Sequence, residues 1–126
     1  MKVLLAVNNR AAEEWLAKRP EIQVVGIADS GKKSVALLQV TKPDALVTAR
    51  AGKRGGVDDL LSLFAWLRLS PGLRVVVVAG DRDATGMAIE SQARRANATV
   101  LSCEPGDRIA AKEVLETLLR EKAAAP

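Results

Sequence analysis

The run Ala45-Leu46-Val47-Thr48-Ala49 constrains this chain more than any other stretch. Lys42-Pro43-Asp44 precedes it, and a proline restricts both its own backbone and that of the residue before it, so a preceding helix must stop there. The polar, glycine-containing loop 50–56 follows it. A short apolar run bounded in this way reads as a central strand of a parallel sheet with helices on both faces. In such sheets the chemistry sits just beyond the carboxyl ends of the strands. The residue at that end is Ala49, and a methyl group can do no chemistry.

The same punctuation recurs along the chain. Lys2 to Val7, Ile22 to Ala28, Leu73 to Val78 and Ala98 to Cys103 are the other strand-length runs, and the valines 75–78 mark a central one. Between them, apolar residues recur at helical spacing: Ala12, Trp15 and Leu16; Val35 and Leu38; Leu60, Leu63, Phe64 and Leu67; Ile89, Ala93 and Ala96; and Ala111, Val114, Leu115 and Leu118. Strictly alternating strands and helices with short connections give a three-layer α/β fold, because parallel crossovers are right-handed. We expect a flavodoxin-like sheet of order 2-1-3-4-5, the order resting on analogy. One domain spans 1–120, and the Ala-rich residues 121–126 read as a tail or the start of a linker.

Composition removes several function classes. The chain has 126 residues, 48% of them hydrophobic, enough for a core without disulfide or metal staples. Aromatics are only 2%, so the core is aliphatic and stacking on nucleic-acid bases is not expected. One Cys and no His exclude a disulfide framework, His-based catalysis and the usual zinc sites. The net charge of +4 comes from interspersed acids and bases, which reads as a solvated mixed surface. No apolar run approaches the ~20 residues of a membrane span, and no signal peptide is evident, so a cytoplasmic location is expected.

Two stretches resemble the receiver domain of two-component response regulators. Val25-Gly26-Ile27-Ala28-Asp29-Ser30-Gly31, continuing to Lys42-Pro43-Asp44, is similar to that family's second strand, second helix and third strand. Residues 93–105 are similar to the end of its fourth helix, its fifth strand and its Lys-Pro turn. The resemblance implies a site at the carboxyl edge of the sheet. There the family's two magnesium-holding acids fall at Asn8 and Asn9, its phosphoacceptor Asp at Ala49, its Thr or Ser at Ala79, its switch aromatic at Leu101 and its Lys at Glu104. Every one of these positions departs from the family pattern. Magnesium prefers anionic oxygens to amides, Ala49 has no nucleophile, and Glu104 would repel a phosphoryl group. The resemblance also implies a cis peptide at Glu104-Pro105, tolerable only because proline follows.

Other features carry weaker signals. Loop 50–56 gathers cations and glycines, and Arg50, Lys53, Arg54 and Arg82 could hold an anion at that edge. It lacks the order of a P-loop, and a solvated connection is the favoured reading. Cys103 stands beside Glu104, whose charge disfavours a thiolate, so it reads as a small buried apolar residue. Trp15 fits the core or the edge of an interface, while Trp66, off its helix's buried stripe, is a candidate surface anchor. The serines have no His to activate them.

These residues lead to an expected non-enzymatic, cofactor-free and metal-free receiver-like module of bacterial signal transduction. It would act by protein contact, as a homodimer or by docking an effector, with an effector domain beyond the carboxyl end a further expectation. The face of the last two helices supplies Arg94, Arg95, Glu113, Glu116 and Arg120. The alternative is a sensor of a phosphate-bearing ligand or nucleotide at loop 50–56. Neither membrane nor nucleic acid is an expected partner.

Overall fold

The computed structural model describes residues 1–50, 57, 60–67, 72–79, 84–96, 98–101 and 108–124. The elements alternate as β1 (Lys2–Ala6), α1 (Arg10–Ala17), β2 (Gln23–Ile27), α2 (Gly31–Thr41), β3 (Ala45–Ala49), α3 (Leu60–Leu67), β4 (Arg74–Val78), α4 (Ala84–Arg95), β5 (Thr99–Leu101) and α5 (Arg108–Ala124). The strands form one parallel sheet of order β2-β1-β3-β4-β5, the flavodoxin-like order expected.

Residues alternate across a strand, and the core divides accordingly. Val3, Leu5, Ala45, Val47, Ala49, Val76 and Val78 face α1 and α5 and pack with Leu16, Val114 and Leu118. Leu4, Ala6, Leu46, Val75 and Val77 face the other helices and pack with Leu38, Leu60, Leu63, Phe64 and Ala93. Each fully buried Leu or Val side chain contributes roughly 1.5–3 kcal/mol, which is how a chain so poor in aromatics holds three layers. All four residues of the stripe expected on α3 are buried, as are all four on α5.

Helix ends follow local chemistry. Asn9 caps α1, its side-chain oxygen accepting from the Ala12 N–H at 3.0 Å. Ser30 caps α2 through the Lys33 N–H at 3.1 Å. Proline stops α2 as expected, and Lys42 makes the turn in the left-handed region with φ 45°. Helix α5 runs on to Ala124, past residue 120, where the sequence suggests a tail. Trp66 is half-buried against the second core cluster instead of standing free of it. Trp15 is half-buried against the first, with the Arg19 guanidinium 4.3 Å from its ring centroid.

Candidate functional site

The register of the sheet brings the chain's candidate residues to one edge. Ala6 pairs with Thr48, so Val7, next in line, comes level with Ala49, and Ala49 itself pairs with Val78. Ala79 follows, its N–H donating to the carbonyl of Leu101 at 2.9 Å. Asn8 and Asn9 lie beyond the end of β1. The structure therefore places Asn8, Asn9, Ala49, Ala79 and Leu101 along the carboxyl edge, while Glu104, the Glu104-Pro105 bond and Cys103 lie outside the described residues.

Among the described residues, the strand ends at this edge are apolar. Ala49 is 2% exposed and Val7 6%, and both belong to the cluster packed under α1 and α5. Ala79 is buried and Leu101 half-buried. Of the amides, Asn8 is exposed in a left-handed turn with φ 46°, a conformation that Asn tolerates better than most residues. The Asn9 side-chain oxygen is committed to the α1 cap. Glu13, in the first turn of α1, is the nearby carboxylate. Burial pushes its pKa up, a hydrogen bond from the Asn9 backbone partly offsets that, and Glu14 adds to the rise. Its chemistry is that of a helix terminus.

Sequence reasoning overlooked Val7 and Thr48. The Thr48 hydroxyl is fully buried and donates to the Ala6 carbonyl at 3.0 Å, tying β3 to β1. A lone hydroxyl inside an otherwise apolar strand was the available signal for it. Val7 could be recognised only from the register.

The described residues on either side of 51–56 are bonded to β3 and β4. The Arg50 N–H donates to the Val78 carbonyl at 2.9 Å, and the Val57 N–H to the Ala49 carbonyl at 2.8 Å. Arg50 is half-buried. Its expected companions Lys53, Arg54 and Arg82 lie outside the described residues.

The candidate interface residues lie on α4 and α5, on opposite faces of the sheet, and β5 is an edge strand whose residues are all half-buried. Arg94 and Arg95 are exposed on α4, and Arg94 Nη2 pairs with Glu90 Oε1 at 2.7 Å. Glu113, Glu116 and Arg120 are exposed on α5, on the other face of the sheet, where Arg120 Nη2 donates to Thr117 Oγ1 at 3.3 Å.

No family model matches the sequence. Solved structures do match over nearly the whole chain. The response regulator domain of CheB from Thermotoga maritima superposes with a TM-score of 0.68 at 22% identity, covering 100% of this chain and 98% of that one. A LuxR-family DNA-binding response regulator from Staphylococcus aureus gives 0.72 at 12% identity, covering 94% and 96%. The RcsB response regulator of Salmonella typhimurium gives 0.72 at 18%, covering 98% of this chain and 62% of that one. The chain has the receiver fold. At these identities the likeness is one of architecture, and function has to be argued from the residues.

The receiver resemblance implies a magnesium ion at this edge, and the described residues do not fit one. The position level with Ala49 is Val7, Ala49 offers no oxygen on its side chain, the oxygen of Asn9 is taken by a backbone N–H, and Asn8 offers one neutral amide oxygen. Hard cations want several oxygens, preferably charged.

Proposed function

We propose that this chain is a non-phosphorylatable receiver-type signalling module of the bacterial cytoplasm. It catalyses no reaction and acts by protein contact, through self-association or docking of an effector. One observation carries the reading: Ala49 and Val7 share the same buried apolar cluster. The place where a receiver would present its acceptor carboxylate is here part of the core. A phosphoryl group set against Ala49 would have to be desolvated among these apolar side chains. The exposed charges of α4 and α5 flanking β5 remain available for docking.

The deciding experiment is a thermal-shift and amide-NMR titration with magnesium and beryllium fluoride, a phosphoryl mimic. Incubation with acetyl phosphate and intact-mass measurement accompanies it. We expect no shift, no resonance change along 49–57 and no added mass, since a ligand of the native state must raise its stability. A saturable response or a phosphorylated species overturns the proposal. A shift with one nucleotide alone, lost in Lys53→Ala/Arg54→Ala, would assign the function to loop 50–56. Light scattering of Arg94→Glu/Arg95→Glu and Glu113→Lys/Glu116→Lys variants then tests the α4–β5–α5 face.

A further inference from the structure

The opposite edge of the sheet, where the strands begin, carries a rim of cations. Lys2 opens β1, Arg74 opens β4, and Lys42 ends α2 just before β3. Lys2 and Lys42 are exposed and Arg74 is half-buried. Among the described residues none of these side chains forms an ion pair. Elsewhere the pattern is different: Arg10 pairs with Glu14 at 3.0 Å, Lys33 with Asp29 at 3.0 Å, and Arg94 with Glu90. Helix stability explains part of this cation edge. Lys42, like Lys18 at the end of α1, complements a helix carboxyl terminus. Lys2 and Arg74 begin strands and belong to no helix end.

At this edge lies a cleft of about 530 Å³ lined by Met1, Pro43, Asp44, Gly72, Leu73 and Arg74, with Lys2 and Lys42 next in sequence to its lining residues Met1 and Pro43. Asp44 stands inside the cation rim, and its Oδ2 accepts the Lys2 backbone N–H at 2.8 Å. The arrangement is therefore cationic at the rim with a fixed anion in the middle. From β1 to β4 is two strand spacings, about 10 Å.

We propose that this amino-terminal edge is a docking surface for an acidic segment of a partner protein. The segment would place separate carboxylates against Lys2 and Lys42 on one side and Arg74 on the other. Charge complementarity sets the class of partner. A continuous phosphate backbone would meet the Asp44 carboxylate, whereas a peptide can step over it and offer it an N–H. Among the described residues, no aromatic side chain lines the cleft to stack on a base. This inference rests on reading the chain as a protein-docking module, but it uses none of the residues of the carboxyl edge. It adds a second contact surface, at the far end of the sheet from Ala49.

The test is fluorescence anisotropy of the whole chain with three labelled probes: a Glu/Asp-rich decapeptide, its Gln/Asn counterpart and an oligonucleotide of equal charge. We expect saturable binding of the acidic peptide, weakened as salt is raised. Binding should fall about tenfold in Lys2→Glu/Lys42→Glu and be unchanged in Lys32→Glu/Lys33→Glu, two exposed positions at the start of α2 that alter net charge equally. Thermal melts establish that both variants fold. Equal loss in both variants, absence of saturable binding, or preference for the oligonucleotide overturns the proposal. The two readings fail separately: a beryllium fluoride response sinks the non-phosphorylatable reading and leaves the peptide result untouched.

Discussion

The Thr48 hydroxyl donates to the Ala6 carbonyl at 3.0 Å, from one fully buried residue to another on the neighbouring strand. It is a side-chain cross-link between β1 and β3, the two strands that carry the candidate edge. Replacing Thr48 by Val keeps the shape and the β-branch but removes the donor. We expect a loss of about 1 kcal/mol, seen as a melting temperature lower by roughly 4 °C. Thr117→Val is the comparison, because its hydroxyl bonds within its own helix, donating to the Glu113 carbonyl at 2.8 Å and accepting from Arg120 Nη2 at 3.3 Å. A smaller loss there is the expected outcome. Equal losses would mean the cross-strand bond contributes nothing special.

Gly26 holds β2 close to β1. A Cβ at that position would lie 2.7 Å from Leu4 Cδ1 and 3.5 Å from Leu37 Cδ1. Leu4 is fully buried, so its side chain has little room to retreat. Gly26→Ala should therefore destabilise by roughly 1–3 kcal/mol in urea melts. In a Leu4→Ala background the added cost should shrink, because the clashing atom is gone and neighbouring substitutions are not additive. An unchanged cost in that background would place the strain in the backbone.

The fold was legible because its determinants are local and repeated. Pro43 predicted the end of α2, the apolar run 45–49 predicted β3, and the 3.6-residue period of Leu60, Leu63, Phe64 and Leu67 predicted the buried side of α3. The chemistry of the edge was legible only in the negative, from which side chains are missing. Register was not legible: that Val7 comes level with Ala49 depends on the pairing of Ala6 with Thr48, which no local pattern encodes. Nor did the two asparagines reveal their division of labour. Asn9 serves the helix cap while Asn8 takes the left-handed turn, and an Asn suits both tasks.

Glu13 gives the chain a pH dependence with a definite sign. Burial raises its pKa in the folded protein, against the opposing hydrogen bond from Asn9. The folded state then holds this proton more tightly than the unfolded chain does. The contribution is fully present below the ordinary glutamate value, about 4.3, and is lost as pH rises through the folded value. Glu13→Gln keeps an acceptor for the Asn9 N–H and removes the titration. Its stability relative to the parent should rise across that window and level off above it, measured by urea melts at stepped pH. A difference that falls with pH would mean the Asn9 bond outweighs burial.

Restoring a carboxylate at the end of β3 is the sharpest test of what this edge has become. In Ala49→Asp the new group would enter the cluster that holds Val7, Val47 and Val78. Burial disfavours its charged form, so its pKa should be raised in the folded state. The destabilisation should then be small near pH 4 and grow toward neutrality, reaching about 3 kcal/mol or more at pH 7. Adding Asn9→Asp should not recruit magnesium, because an Asp at the α1 cap accepts the same Ala12 N–H and is stabilised by the helix dipole. The double variant should therefore melt as low in millimolar magnesium as without it. A double variant whose melting temperature climbs with magnesium would show that the edge opens readily to solvent. The apolar seal over Ala49, and the reading built on it, would then be wrong.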